Sequence, residues 1–166
     1  MSTNKAEGEM LAAENRKMAE FKAEREAKEA KRGKSKQVIV MRTDLGMRKG
    51  KMIAQGAHAS MKVLLDLMYD SELVYQSGKT DHVLELEPDT PLKDWLSGKF
   101  TKICVKGDSE AHIKDLYAKA QALRIPCSLI LDAGLTEFEE PTYTCVAIGP
   151  AWSEDVDKIT GGLNLL

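Results

Sequence analysis

Lys36-Gln-Val-Ile-Val-Met-Arg-Thr-Asp-Leu-Gly-Met-Arg-Lys-Gly-Lys51 holds one strand and the basic turn that leaves it. Val38-Ile39-Val40-Met41 is a continuous apolar run of strand length, which predicts a strand buried on both faces. Gly46 and Gly50 bracket the turn, and residues 51–68 then read as a long helix. Ile53, Ala57, Ser60 and Leu64 recur on one side of it, with Ala54, Met61, Leu65 and Met68 beside them. That apolar side is expected to face the sheet. A doubly buried strand feeding an amphipathic helix opens an α/β layer arrangement.

The alternation continues downstream. Residues 70–90 are polar and irregular, and Thr90-Pro91 is an N-cap with proline at the first helical position, predicting a short helix over 91–97 ended by Gly98. Ile103-Cys104-Val105 reads as a second strand. Ser109 starts a helix in which Ile113, Leu116, Tyr117, Ala120 and Leu123 keep the 3.6 period until Pro126 forces the chain out. Ser128 to Leu131 and Thr144 to Ile148 are a third and a fourth strand, joined without a helix and so expected to run antiparallel. Residues 153–160 suit a last short helical turn. The expected fold is an α/β domain over 36–166 with a mixed four-stranded sheet and helices on both faces. Upstream, residues 1–35 form a charged N-terminal extension. It is read as a solvated helix or a partly disordered segment ended by Gly33, Lys34 and Ser35, since Met10, Leu11, Met18 and Phe21 sustain no heptad.

The 166 residues suit one domain plus an appendage, and 43% hydrophobic residues suffice for a packed core. No apolar run reaches the length of a membrane span, and no secretory signal is evident, so a cytoplasmic protein is expected. Cys104, Cys127 and Cys145 lie far apart in apolar runs, neither zinc spacing nor a disulfide framework, and are expected to be buried, inert thiols. The net charge of −2 is unevenly spread. Residues 1–36 carry 10 Lys/Arg against 7 Glu, residues 37–65 carry 5 against the single Asp44, and residues 66–166 carry 9 against 18 acids. This argues against a broad nucleic-acid-binding face and allows a local phosphate-binding patch around 42–62.

On the helix, Lys51 and His58 lie about 20° apart around the axis, Gln55 about 40° from Lys51, and Lys62 continues the row. An ordinary solvated stripe has the same spacing. Lys51, however, stands in the first turn, where the macrodipole disfavours a cation, and Arg48 and Lys49 crowd the same end. A helix N-terminus with free N–H groups and three bases is suited to a phosphate. His58, flanked by Ala57 and Ala59, has room beside it for another molecule and is of a type that moves protons near neutral pH. Asp132 ends the third strand and enters the turn Asp132-Ala133-Gly134, where ligands of open α/β sheets gather, although an Asx turn accounts for it equally. Thr142 and Thr144 share one face of the fourth strand. His82 and His112 are unremarkable by position. Nucleophile elbow, Walker-type loop, dinucleotide fingerprint and metal-ligand cluster are all missing from the sequence, which points to direct activation of water.

Four segments together resemble the second family of peptidyl-tRNA hydrolases. They are Lys36 to Lys51, Ala54-Gln-Gly-Ala-His-Ala59, Asp132-Ala-Gly-Leu-Thr-Glu-Phe138 and Thr142-Tyr-Thr-Cys-Val-Ala-Ile-Gly-Pro150, with Val156-Asp-Lys-Ile-Thr-Gly161 near the end. The resemblance spans roughly 36–166 in order and spacing. It implies a three-layer α/β/α sandwich on a mixed four-stranded sheet, usually a homodimer, that cleaves the ester between a peptide and the tRNA 3′ end without metal or cofactor. It places the family's active-site lysine, histidine, aspartate and threonine on Lys51, His58, Asp132 and Thr144. Gln55, Arg48, Lys49 and Thr142 are the expected substrate-binding residues. Residues 66–93 are longer than the usual connection, and 1–35 has no counterpart in the family. Which of Asp132 and His58 deprotonates water stays open at this level, as does the alternative of a tRNA-binding module without turnover.

Overall fold

The structure is a computed structural model that describes residues 3–31, 34–74 and 80–166. The chain divides into two units, Met1–Arg32 and Gly33–Leu166. The first contains helix α1, Thr3–Lys31. Its described side chains are exposed, including Met18 and Phe21, so this helix has no core of its own. An i,i+4 pair between Lys22 and Glu26, 4.0 Å apart, gives it slight support. The expected stop at Gly33 lies outside the described residues.

The second unit runs β1 (Ser35–Arg42), α2 (Lys49–Asp66), β2 (Tyr69–Val74), β3 (Thr80–Val83), α3 (Pro91–Ser97), β4 (Lys102–Gly107), α4 (Glu110–Ala122), β5 (Cys127–Asp132), β6 (Thr142–Trp152) and α5 (Ser153–Thr160). Four strands form one sheet in the order β4-β1-β6-β5. β1 pairs parallel with β4 and antiparallel with β6, and β5 pairs antiparallel with β6, as the helix-free connection predicts. Thr90 caps α3 and Ser109 caps α4, each accepting a backbone N–H three residues on. The C-terminal segment lies along β4, with Lys106 N donating to Asn164 O and Leu166 N to Cys104 O, so this edge is partly covered.

The apolar run of β1 serves two cores. Val38 and Val40 join Val146 and Ile148 of β6 beneath α4 and α5, while Ile39 and Met41 join Cys145 and Ala147 beneath α2. Each fully buried aliphatic side chain of this kind contributes about 1.5–3 kcal/mol. The expected layers, sheet and helices are all present.

Four expectations need correction. Residues 70–90 are not simply irregular: β2 and β3 form a separate antiparallel ribbon, which the charged composition hid. Leu123 is exposed at the C-cap of α4 rather than part of its buried stripe. Cys104 is exposed on the side of β4 that no helix covers, so only Cys145 is fully buried and Cys127 is half-buried. Burial pushes the Cys145 thiol up to about 12 and the Cys127 thiol to about 11, which keeps both protonated.

The fourth correction concerns the facing of α2. Gln55, Ala59 and Val63 pack on the sheet, whereas Ile53 is 73% exposed, Met61 56% and Leu65 57%. α2 lies over β5, β6 and part of β1. Its apolar flank therefore overlooks the open half of the sheet rather than the core. Between that flank and β4 runs an apolar groove of about 680 Å³, lined by Ile39, Met41, Ile53, Leu64, Phe100 and Leu166 among others. Apolar periodicity reports a face that avoids water, and an open groove satisfies it as well as a core does.

Candidate active site

Lys51 in the first turn of α2 meets Asp132 at the carboxyl end of β5. Its Nζ donates to Asp132 Oδ2 at 2.5 Å and to Thr136 Oγ1 at 2.9 Å, and stands 5.3 Å from the centre of the Phe138 ring. Gln55, one turn on, is 2% exposed. Its Nε2 donates to the same Asp132 Oδ2 at 2.7 Å, and its Oε1 accepts from Thr144 Oγ1 at 2.7 Å. Asp132 Oδ1 accepts from Gly134 N at 3.0 Å, so the Asx-type turn and the site are the same structure. Gly134 has φ +78°, and a side chain there would meet the Glu140 backbone within 2.7 Å.

These contacts form one chain, Thr144–Gln55–Asp132–Lys51–Thr136, drawn from α2, β5, β6 and the β5–β6 connection. The Lys51 and Asp132 side chains are only 10% and 11% exposed. The Lys51 hydrogen bond, the Gly134 N–H, the lysine charge and Gln55 together hold the Asp132 carboxyl below the usual aspartate range, against the opposing effect of burial. An ammonium has three N–H donors. Two are given to Asp132 and Thr136, and no described residue accepts the third, which suits an incoming oxygen. Asp132, with three donors on its two oxygens, is a weak proton acceptor and a strong orienting group.

The other expected residues fall differently. His58 is exposed and makes no hydrogen bond among the described residues. It stands seven residues, about 10 Å of helix, beyond Lys51. Arg48 gives its Nε and backbone N to Glu137, at 2.7 and 3.2 Å, so its charge is already paired. Lys49 lines the apolar groove on the other flank of α2. Thr142 Oγ1 donates to Glu140 O and lies outside the chain of contacts. Gln55, expected to meet substrate, is instead buried between Asp132 and Thr144. A solvated stripe is thus not what the row forms at Gln55. Thr136, Glu137 and Phe138 were not singled out from sequence. The available signal was a first turn carrying Lys49 and Lys51 and no acid, which calls for a carboxylate from elsewhere in the chain.

A polar cluster beyond the carboxyl end of a strand, roofed by a helix on a mixed sheet, defines an α/β protein of the enzyme type. Residues 35–166 match the model of the family described as Peptidyl-tRNA hydrolase PTH2. The chain is 42% identical over 131 residues to a peptidyl-tRNA hydrolase of Methanocaldococcus jannaschii, covering 79% of this chain and 99% of that one. It is 42% identical over 132 residues to that of Sulfurisphaera tokodaii, covering 80% and 98%, and 39% identical over 130 residues to that of Haloquadratum walsbyi, covering 78% and 98%. The chain therefore belongs to the peptidyl-tRNA hydrolase family PTH2, as the resemblance of its motifs implied.

Proposed function

We propose that this protein hydrolyses the ester between a peptide and the 3′ end of tRNA, returning free tRNA to translation, and that the Lys51–Asp132–Gln55–Thr144 chain is its catalytic centre. The observation that carries this reading is the largely buried Lys51–Asp132 ion pair in a chain from this family, with a third ammonium N–H that no described residue accepts. Lys51 stabilises the oxyanion that forms as water adds to the ester carbonyl. Asp132 fixes the ammonium, and Gln55 with Thr144 fixes Asp132. His58, exposed and unpaired among the described residues, takes the proton from the attacking water and returns one to the ribose 3′ oxygen as the ester bond breaks. Arg48, largely exposed beyond its pairing with Glu137, is placed to meet a tRNA phosphate, whereas Lys49 on the other flank of α2 and Thr142, hydrogen-bonded to Glu140 O, are left without a role in this reading. Water is the only nucleophile required, so no metal or cofactor is assigned. Among the described residues no group of three or more His, Cys, Asp and Glu side chains is placed to hold a metal ion.

The direct test is release of tRNA from purified peptidyl-tRNA, beside a filter-binding assay on the same preparation. Release by the wild type supports the hydrolase. Retention without release would make the chain a tRNA-binding module instead. His58→Ala is expected to lower kcat by about 10²-fold or more, the loss typical of a missing proton-transfer group, with the melting midpoint little changed because His58 is exposed and makes no hydrogen bond among the described residues. Full turnover in that variant would remove His58 from the mechanism.

The same reading includes a homodimer in the cytoplasm. None of the described helices is long and apolar enough to cross a membrane. The groove beside α2, with Ile53 and Met61 exposed along it, is an apolar surface that a second copy would cover. A two-fold axis would bring this same surface of each chain together. Sedimentation at micromolar concentration is expected to give twice the chain mass for the wild type and a single mass for Ile53→Asp. A wild type of single mass would overturn the dimer.

A further inference from the structure

Helix α2 begins without a cap of its own. Arg48 stands at the N-cap position and makes no side-chain capping bond, and the first turn holds no acid. In a capping box the third helical residue is Glu or Gln, whose side chain accepts the N-cap N–H. Here that position is Lys51, the residue given to the ester carbonyl. The missing acceptor comes from 89 residues away: Glu137 Oε2 accepts from Arg48 N at 3.2 Å while its Oε1 accepts from Arg48 Nε at 2.7 Å. The Glu137 side chain is 15% exposed although its arginine partner is 79% exposed, so the carboxylate is seated against the helix end rather than paired in solvent.

Glu137 is flanked in the β5–β6 connection by Thr136 and Phe138, which both meet Lys51. Thr136 accepts from Lys51, and the centre of the Phe138 ring lies 5.3 Å from its ammonium while the ring packs against the buried cluster beneath α2. Releasing Glu137 therefore frees the helix end and the strap over it together. We infer that Glu137 is a positioning residue of the hydrolysis, which supplies from the β5–β6 connection the helix-capping carboxylate that Lys51 displaces and so holds Lys51 between Asp132 and Thr136. The inference rests on the reading of Lys51 given above. A negative group at a helix N-terminus also offsets the macrodipole that otherwise opposes Lys49 and Lys51.

The experiment compares wild type, Glu137→Ala, Glu137→Gln and Lys51→Ala in the peptidyl-tRNA release assay, at a temperature where circular dichroism shows each fully folded. Glu137→Ala is expected to lose about 10- to 100-fold in kcat with KM within about twofold, the signature of a misplaced group rather than a lost contact. Glu137→Gln keeps a carbonyl acceptor for the Arg48 N–H and is expected to recover most of that loss. A Glu137→Ala enzyme with wild-type kcat and only a lower melting midpoint would reduce Glu137 to a structural cap. A rise in KM alone would make it a substrate contact, and a Glu137→Gln variant no better than alanine would show that charge, not capping, matters. Each result overturns the inference. If Lys51→Ala also turns over at the wild-type rate, the site assignment fails; if Lys51→Ala is inactive and Glu137→Ala is not, only the role of Glu137 fails.

Discussion

Lys51→Ala is expected to lower kcat for tRNA release by about 10²- to 10³-fold, the loss typical when one oxyanion donor is removed from a preorganised site. The fold should tolerate the change. Asp132 keeps the Gln55 and Gly134 donors, so no buried carboxylate is orphaned. The substitution also removes a cation from a first turn that disfavours it and installs a strong helix former. The melting midpoint should still fall modestly, because the hydrogen bond and charge that lower Asp132 go with the lysine, while release falls by far more than that loss of stability explains. Steady-state release and thermal unfolding on the same preparation check it, and undiminished release would remove Lys51 from the centre.

Asp132→Asn should damage both properties. The amide matches the carboxylate in shape, but one of its two ends carries N–H donors. Turned either way, that end faces another donor: Lys51 and Gln55 on one side, Gly134 N on the other. The ammonium loses its counter-charge at a largely buried position, and a misplaced catalytic group alone costs on the order of 10²-fold in kcat. The pH dependence separates this from a general loss of packing. Asp132 titrates lower in the folded protein than the unfolded aspartate value of about 3.9, chiefly through the Lys51 hydrogen bond. A carboxyl lowered on folding contributes stability above its unfolded value, and the contribution disappears as pH falls through the folded value. The stability gap between wild type and Asp132→Asn should thus be full at pH 7 and shrink in acid below about pH 4. Urea midpoints at the two pH values measure it. A gap independent of pH would mean that the carboxylate charge is not what the site uses.

The two variants also bear on the division of labour between Asp132 and His58, which the residue types alone leave undecided. A carboxylate that already accepts three donors and is held below its ordinary range is poorly suited to take a proton from water. Its geometry suits orientation. The proposed mechanism therefore gives orientation to Asp132 and proton transfer to His58, whose ring is exposed.

The doubly buried β1, the capped α3 and α4, the antiparallel β5–β6 pair and the four motif segments were legible in the sequence. Each is specified by neighbours in the chain: a run of Val and Ile, a Thr or Ser with its capping distance, a connection too short for a crossover. The β2–β3 ribbon was not, because its residues are too charged to show a strand period. The facing of α2 was read the wrong way round. Spacing located Lys51, Gln55 and His58 on one side of that helix, but burial of Gln55 depends on Asp132 and Thr144, brought up from 77 and 89 residues away. A glutamine reads as a solvent residue until both ends of its amide are satisfied by the fold. The same holds at the helix start. Sequence alone determined that Lys51 stands where a dipole repels it, and that Arg48 and Lys49 crowd it. Only the tertiary structure decided what answers that charge, since the carboxylates of Asp132 and Glu137 arrive from another strand end and another connection, and a hydrogen bond between residues more than 80 apart leaves no period in the chain.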